Sequence, residues 1–162
     1  MRLLLLILSL VSSLSYAEDN TIFVSNGKTI ANSVLDTRSR AWGVDEEVKY
    51  DFGTIDYGYM NEGHQPGIKR DGIYAQYLFS GKFSDRIETS FAIGPYYNSI
   101  TEVGSNGQFV DAYNLALMPS VGLTYNISEE FKLRWTWNHT MFTANNKDTD
   151  VLLFSLGYKP KR

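Results

Sequence analysis

The sequence predicts an all-β protein: an eight-stranded antiparallel up-and-down transmembrane β-barrel with a filled polar interior. Three observations point there. Apolar and polar residues alternate with period two through most of the chain, so each strand has one apolar and one polar face. Short connections alternate with longer ones, as they do when strands run back and forth across a bilayer. Aromatic residues gather at both ends of the apolar faces, where amphipathic rings find a membrane–water interface.

Residues 1–17 come first. Arg2 is their one charge, residues 3–11 are apolar, and Ser15-Tyr16-Ala17 supplies small residues where a signal peptidase reads. This is expected to be a cleaved secretory signal, too short to span a membrane. Residues 18–162 are then a single outer-membrane β-barrel domain. The chain has no cysteine, so no disulfide framework holds it. Without Arg2 it carries 14 basic and 18 acidic side chains, a net charge of −4, which argues against a nucleic-acid partner. No later apolar run reaches the length of a transmembrane helix, but barrel strands of about 9–11 residues need none.

The strands follow in order. A short first strand is expected near residues 21–25. Trp42, Val44, Val48 and Tyr50 share a face opposite Asp45, Glu47 and Lys49, with Glu46 interrupting the apolar set. Ile55, Tyr57 and Tyr59 form the third set, and Ile73, Ala75, Tyr77 and Phe79 the fourth. Ile87, Thr89, Phe91, Ile93, Pro95 and Tyr97 form the fifth. Residues 113–125 alternate without a break from Tyr113 to Tyr125. Phe131, Leu133, Trp135 and Trp137 form the seventh set, and Leu152, Phe154, Leu156 and Tyr158 the eighth. Residues 51–53, 80–85 and 126–130 are short turns; residues 26–40, 62–71, 100–111 and 144–148 are read as the longer loops. With both termini periplasmic, the longer loops fall outside the cell. Two girdles result: Tyr50, Phe79, Tyr125, Phe131 and Tyr158 below, and Trp42, Tyr59, Tyr97, Tyr113 and Trp137 above.

The polar face carries Asp45, Glu47, Lys49, Asp56, Glu88, Lys132 and Arg134. An eight-stranded lumen is just wide enough for side chains, so these mixed charges are expected to pair and plug it rather than line a pore. Chemistry must then lie at the outer mouth or on the outer wall. Glu62, His64, Lys69, Arg70 and Asp71 fall together at the outer end of strands three and four. Glu62 and His64 are too few to hold zinc, so no metal and no cofactor are expected. Arg70 and Asp71 are expected to pair with each other or with Glu62. Lys69, Arg70 and Lys147 can meet headgroup phosphates. His139 shares the parity of Trp135 and Trp137, so it faces outward at the outer interface, where an imidazole can act as a base.

An eight-stranded secreted barrel with a histidine near the outer end of its seventh strand resembles the lipid A deacylase (acyloxyacyl hydrolase-like) outer-membrane family. The stretches NEGH…RDG…Q and NKDTDVLLFSLGYKP also resemble outer-membrane proteins grouped loosely with it. In that family a serine nucleophile, a histidine base and an acid form a triad. His139 matches the base. The serine position holds Met141 and the acid position holds Leu153. Thr143 and Asp150 are the nearest substitutes, with Asp150 three residues off the family's acid position. The resemblance thus implies a deacylase-like barrel without that triad, one that interacts with outer-leaflet lipopolysaccharide or a surface partner. The alternative is an acyl-ester hydrolase using His139 with Thr143 and Asp150.

Overall fold

A computed structural model describes residues 19–31, 38–65, 68–103, 107–141 and 148–161. The expected signal segment, Thr143 and Lys147 lie outside these residues. Eight antiparallel strands close into one barrel: β1 (Asp19–Ala31), β2 (Arg38–Tyr50), β3 (Gly53–Gln65), β4 (Ile68–Lys82), β5 (Ile87–Val103), β6 (Phe109–Asn126), β7 (Phe131–Thr140) and β8 (Thr149–Tyr158). Each strand pairs with its sequence neighbours. β1 returns to β8 through a ladder from Ile22↔Tyr158 to Ala31↔Thr149. The described termini and the turns at 51–52, 83–86 and 127–130 share one end.

The strands are longer than the alternation predicts. β1 has 13 residues rather than five, and β3 and β4 continue through the stretch read as a loop at 62–71. Likewise β5 and β6 run on through much of residues 100–111. A strand projecting beyond an apolar slab keeps its backbone ladder but meets water on both faces. Its side chains then lose the alternation that marks a strand in sequence.

Parity is as expected. Val24, Leu115, Leu123, Phe154 and Leu156 point outward and are exposed, while Phe23, Met60, Tyr96 and Met118 fill the lumen. Rings meet at the terminus end in Tyr50–Phe52, Phe79–Phe91 and Phe131–Tyr158, and at the other end in Trp42–Tyr59 and Tyr97–Tyr113. Glu46 does face outward among these groups, and its two carboxylate oxygens accept hydrogen bonds from Asn20 Nδ2 (2.8 Å) and the Tyr57 hydroxyl (2.6 Å). The C-terminal tail is tied down as well. Lys159 N–H donates to the Glu130 carbonyl at 2.7 Å and Lys161 Nζ reaches Glu130 Oε1 at 2.5 Å. That hydrogen bond raises the Lys161 ammonium above its ordinary value.

The lumen is filled, as expected, and its filling is layered, with an apolar plug between two charged layers. Nearest the termini, buried Arg134 bridges Asp45, Glu47 (2.8 Å) and Asp56 (3.6 Å). Its guanidinium lies 3.7 Å over the Phe23 ring. Above it Ala41, Met60, Tyr96, Ala116, Met118, Val151 and Leu153 form an apolar plug. Beyond the plug, Arg70 Nη1 reaches Glu62 Oε2 and Thr149 Oγ1, each at 3.2 Å. Removing one partner of a buried ion group leaves uncompensated charge and costs about 3–5 kcal/mol. Arg134→Met is therefore expected to lower the temperature at which the folded barrel's gel mobility is lost. Asp45→Asn is expected to lower it less, since two acids remain on the arginine. A midpoint unchanged in Arg134→Met would contradict this layer's role.

Candidate functional site

The outer ends of β7, β8, β1 and β2 form one continuous wall, and the register sorts its outward side chains into rows. One row is His139, Asp150, Ile30 and Arg38. The next is Trp137, Leu152, Lys28 and Arg40, and below it come Trp135, Phe154, Asn26 and Trp42. Neighbouring strands lie about 4.8 Å apart, so the Asp150 and Arg38 backbones are roughly 10 Å apart. The lowest row is aromatic on three of its four strands and includes Trp42 of the outer girdle, and Trp137 of the same girdle lies in the row above. The two rows above it carry charge.

At one side of the wall His139 Nδ1 and Asp150 Oδ1 are hydrogen-bonded at 2.8 Å. Trp137 Nε1–H donates to the same oxygen at 2.9 Å. The Trp137 and His139 rings sit 5.9 Å apart at 31°. The β7–β8 ladder causes this arrangement, because it sets residues 139 and 150 directly opposite each other. At the other side Lys28, Arg38 and Arg40 are exposed, and Arg40 Nε–H donates to Asn26 Oδ1 at 3.3 Å. Exposed Lys69 and its cross-strand partner His64 carry the basic belt on to β3 and β4. A bulge between Asn61 and Gly63 turns His64 to this side. Gly63 adopts φ 85°, and a Cβ there would meet the Arg40 carbonyl oxygen at 2.1 Å, so only glycine fits.

The wall corrects several expectations. Glu62 and Arg70 are buried inside the barrel and bonded to each other, so they are not headgroup ligands. Adjacent residues of a strand point to opposite faces. Asp71 therefore lies outside, accepting the Tyr59 hydroxyl at 2.7 Å, and does not pair with Arg70 or Glu62. Asp150, off the family position by count, meets His139 through strand pairing. Leu153, at the family's acid position, is buried in the lumen, and Met141 is exposed. Among the described residues no hydroxyl bonds His139, and the neighbouring Thr140 faces inward onto Thr149. No cluster of three or more His, Asp or Glu side chains among them could hold a metal. Lys28, Arg38 and Arg40 were hidden in a stretch read as a loop. The signal that finds them is parity: Arg38 and Arg40 continue the even-numbered set of Trp42 and Val44.

No protein-family model matches the sequence, and no curated protein does. Solved structures match the fold. Neisserial surface protein A aligns over 87% of this chain and 97% of its own at 11% identity, with a TM-score of 0.74. Ail of Yersinia pestis, crystallised with the heparin analogue sucrose octasulfate, aligns over 88% and 98% at 12% identity and 0.64. The N-terminal β-barrel domain of Pseudomonas aeruginosa OprF aligns over 87% and 97% at 14% identity and 0.64. The fold is that of the small eight-stranded outer-membrane β-barrels.

The shared Asp150 oxygen is open to direct observation. Asp150→Ala is expected to move one of the three indole N–H proton resonances upfield and leave the other two in place, because a charge-assisted bond is lost only at Trp137. Three unmoved indole signals would show that the bond does not form.

Proposed function

We propose that this chain spans the bacterial outer membrane and, without catalysing a reaction, holds an anionic headgroup of the lipopolysaccharide type against its outer wall. One observation carries this reading: Lys28, Arg38 and Arg40 turn outward together, directly above the Trp42 girdle, where a phosphorylated headgroup meets the barrel. Their guanidinium and ammonium donors match phosphate or sulfate oxygens. Lys69 extends the reach, while Trp42 and Phe154 contact acyl chains below. Ail, a barrel of the same fold, was crystallised with a polysulfated sugar, which is ligand chemistry of the same kind.

The test is binding of purified lipid A to the detergent-solubilised barrel. Each exposed charge contact contributes on the order of 0.5–1 kcal/mol, so a Lys28→Glu, Arg38→Glu, Arg40→Glu variant is expected to bind about tenfold more weakly or worse. Added salt is expected to weaken the wild type. Equal affinity in the variant would refute the proposal.

The His139–Asp150 bond supports a second reading, an acyl-ester hydrolase in which Asp150 orients His139 to draw a proton from Thr143 or water. Mass spectrometry of lipid A from cells with and without the protein separates the two. Loss of an acyl chain, abolished in His139→Ala, would establish the hydrolase; the binding reading predicts the same lipid A in both.

A further inference from the structure

At the terminus end of the lumen the inward side chains differ in size from one side to the other. β2, β3 and β7 bring Asp45, Glu47, Asp56 and Arg134. β5 and β6 bring Ser90, Ala92, Ser120 and Gly122, which are shorter. A cavity of about 10 Å3 remains between the two sets, room for one water-sized occupant. Its polar lining includes Asp45, Asp56, Tyr74, Ser90, Thr136 and Asn138.

The charges in this layer do not balance. Among the described residues, Arg134 is the one cation paired with Asp45, Glu47 and Asp56. It also borders the cavity, but a single guanidinium supplies one charge against three. Asp45 and Asp56 are 2% and 5% exposed, so water screens them little. Asp56 faces Arg134 with Oδ2 at 3.6 Å, while its Oδ1 is buried without a hydrogen-bond partner. Gln76, the cross-strand neighbour of Asp56 on β4, is the natural neutral donor. Both N–H groups of its amide are committed elsewhere, to the Met118 carbonyl at 2.5 Å and to Ser120 Oγ at 2.7 Å. A buried carboxylate with a bare oxygen, set close to a second carboxylate, calls for a cation.

We propose that this cavity binds one monovalent cation of sodium size at Asp56 Oδ1. Asp45, Tyr74, Ser90 and Thr136 offer further oxygens around the same space, and oxygen is the ligand that hard cations take. Zinc would want nitrogen or sulfur, and calcium about six to eight oxygens, which is more than a cavity for one water offers beside a guanidinium. A sodium-sized ion needs no cluster of three carboxylates. It also has a way in, because Glu47 keeps 17% of its side chain exposed in this layer. With the ion in place, two cations meet three carboxylates, and the part-exposed Glu47 is the one left to water. This site lies inside the barrel and stands or falls apart from the basic wall.

The test uses the detergent-solubilised barrel at mildly alkaline pH, in sodium chloride or in N-methyl-D-glucamine chloride of equal ionic strength. The organic cation is too large for the cavity. Sodium is expected to raise the temperature at which folded gel mobility is lost by about 5 °C, and the rise should saturate with concentration. Folded Asp56→Asn is expected to have the same midpoint in both salts. Equilibrium dialysis with radioactive sodium is expected to find one ion bound per wild-type chain, and it decides the matter if Asp56→Asn does not fold. Equal wild-type midpoints in the two salts, no bound sodium, or a sodium effect retained in folded Asp56→Asn would overturn the proposal. So would stabilisation that follows acidification alike in both salts, which would put a proton in the place of the ion.

Discussion

Closure of β1 onto β8 is the constraint on which the rest depends. Once Ile22 faces Tyr158 and Ala31 faces Thr149, each strand has a neighbour on both sides and each residue within the barrel points inward or outward. A register slip of one residue in any ladder would exchange these two sets. Phe23, Arg134 and Ser155 would then face outward, and Val24, Trp135 and Phe154 would crowd the lumen. The inner side fills with two ion-paired layers and an apolar plug, and the outer side carries the exposed apolar residues. The His139–Asp150 bond follows in the same way from the β7–β8 ladder, and the grouping of Lys28 with Arg38 and Arg40 from the β1–β2 ladder.

The filled lumen is the reason the proposed function is sought on the outer surface. Arg134 with its three acids closes the terminus end, the Met60–Met118–Tyr96 plug closes the middle, and the Arg70–Glu62 pair closes the far end. Charged groups inside an eight-stranded barrel are close enough to find partners, which makes them structural. Glu62 and Arg70 show the difference well. In sequence they sit among His64, Lys69 and Asp71 as one polar cluster, yet the pleat sends these two inward and Lys69 and Asp71 outward.

The membrane-spanning part of the fold was legible because a bilayer imposes two opposed environments on each strand. Residues 113–125 show this most clearly. The projecting ends were not legible, since water on both faces removes the contrast. That is why residues 26–40 read as a loop and why Lys28, Arg38 and Arg40 went unnoticed as a group. Counting along the chain also misplaced Asp150. A family spacing measured from His139 pointed to Leu153, whereas pairing across the β7–β8 ladder brings residue 150 to the histidine. Linear spacing transfers between barrels only if hairpin length and register transfer with it.

The outer end of the barrel is electrically divided. Lys28, Arg38 and Arg40 stand on β1 and β2, while β5 and β6 bear Glu102 and Asp111 and no base; Lys69 on β4 lies between them, in the same cross-strand row as Thr101 and Asp111. β1–β2 and β5–β6 are four strands apart in an eight-stranded ring, hence on opposite sides. On the function proposed above, an anionic lipid surface would meet the β1–β2 side of the molecule. The opposite side is the one whose hairpin projects furthest and exposes Phe109 and Val110.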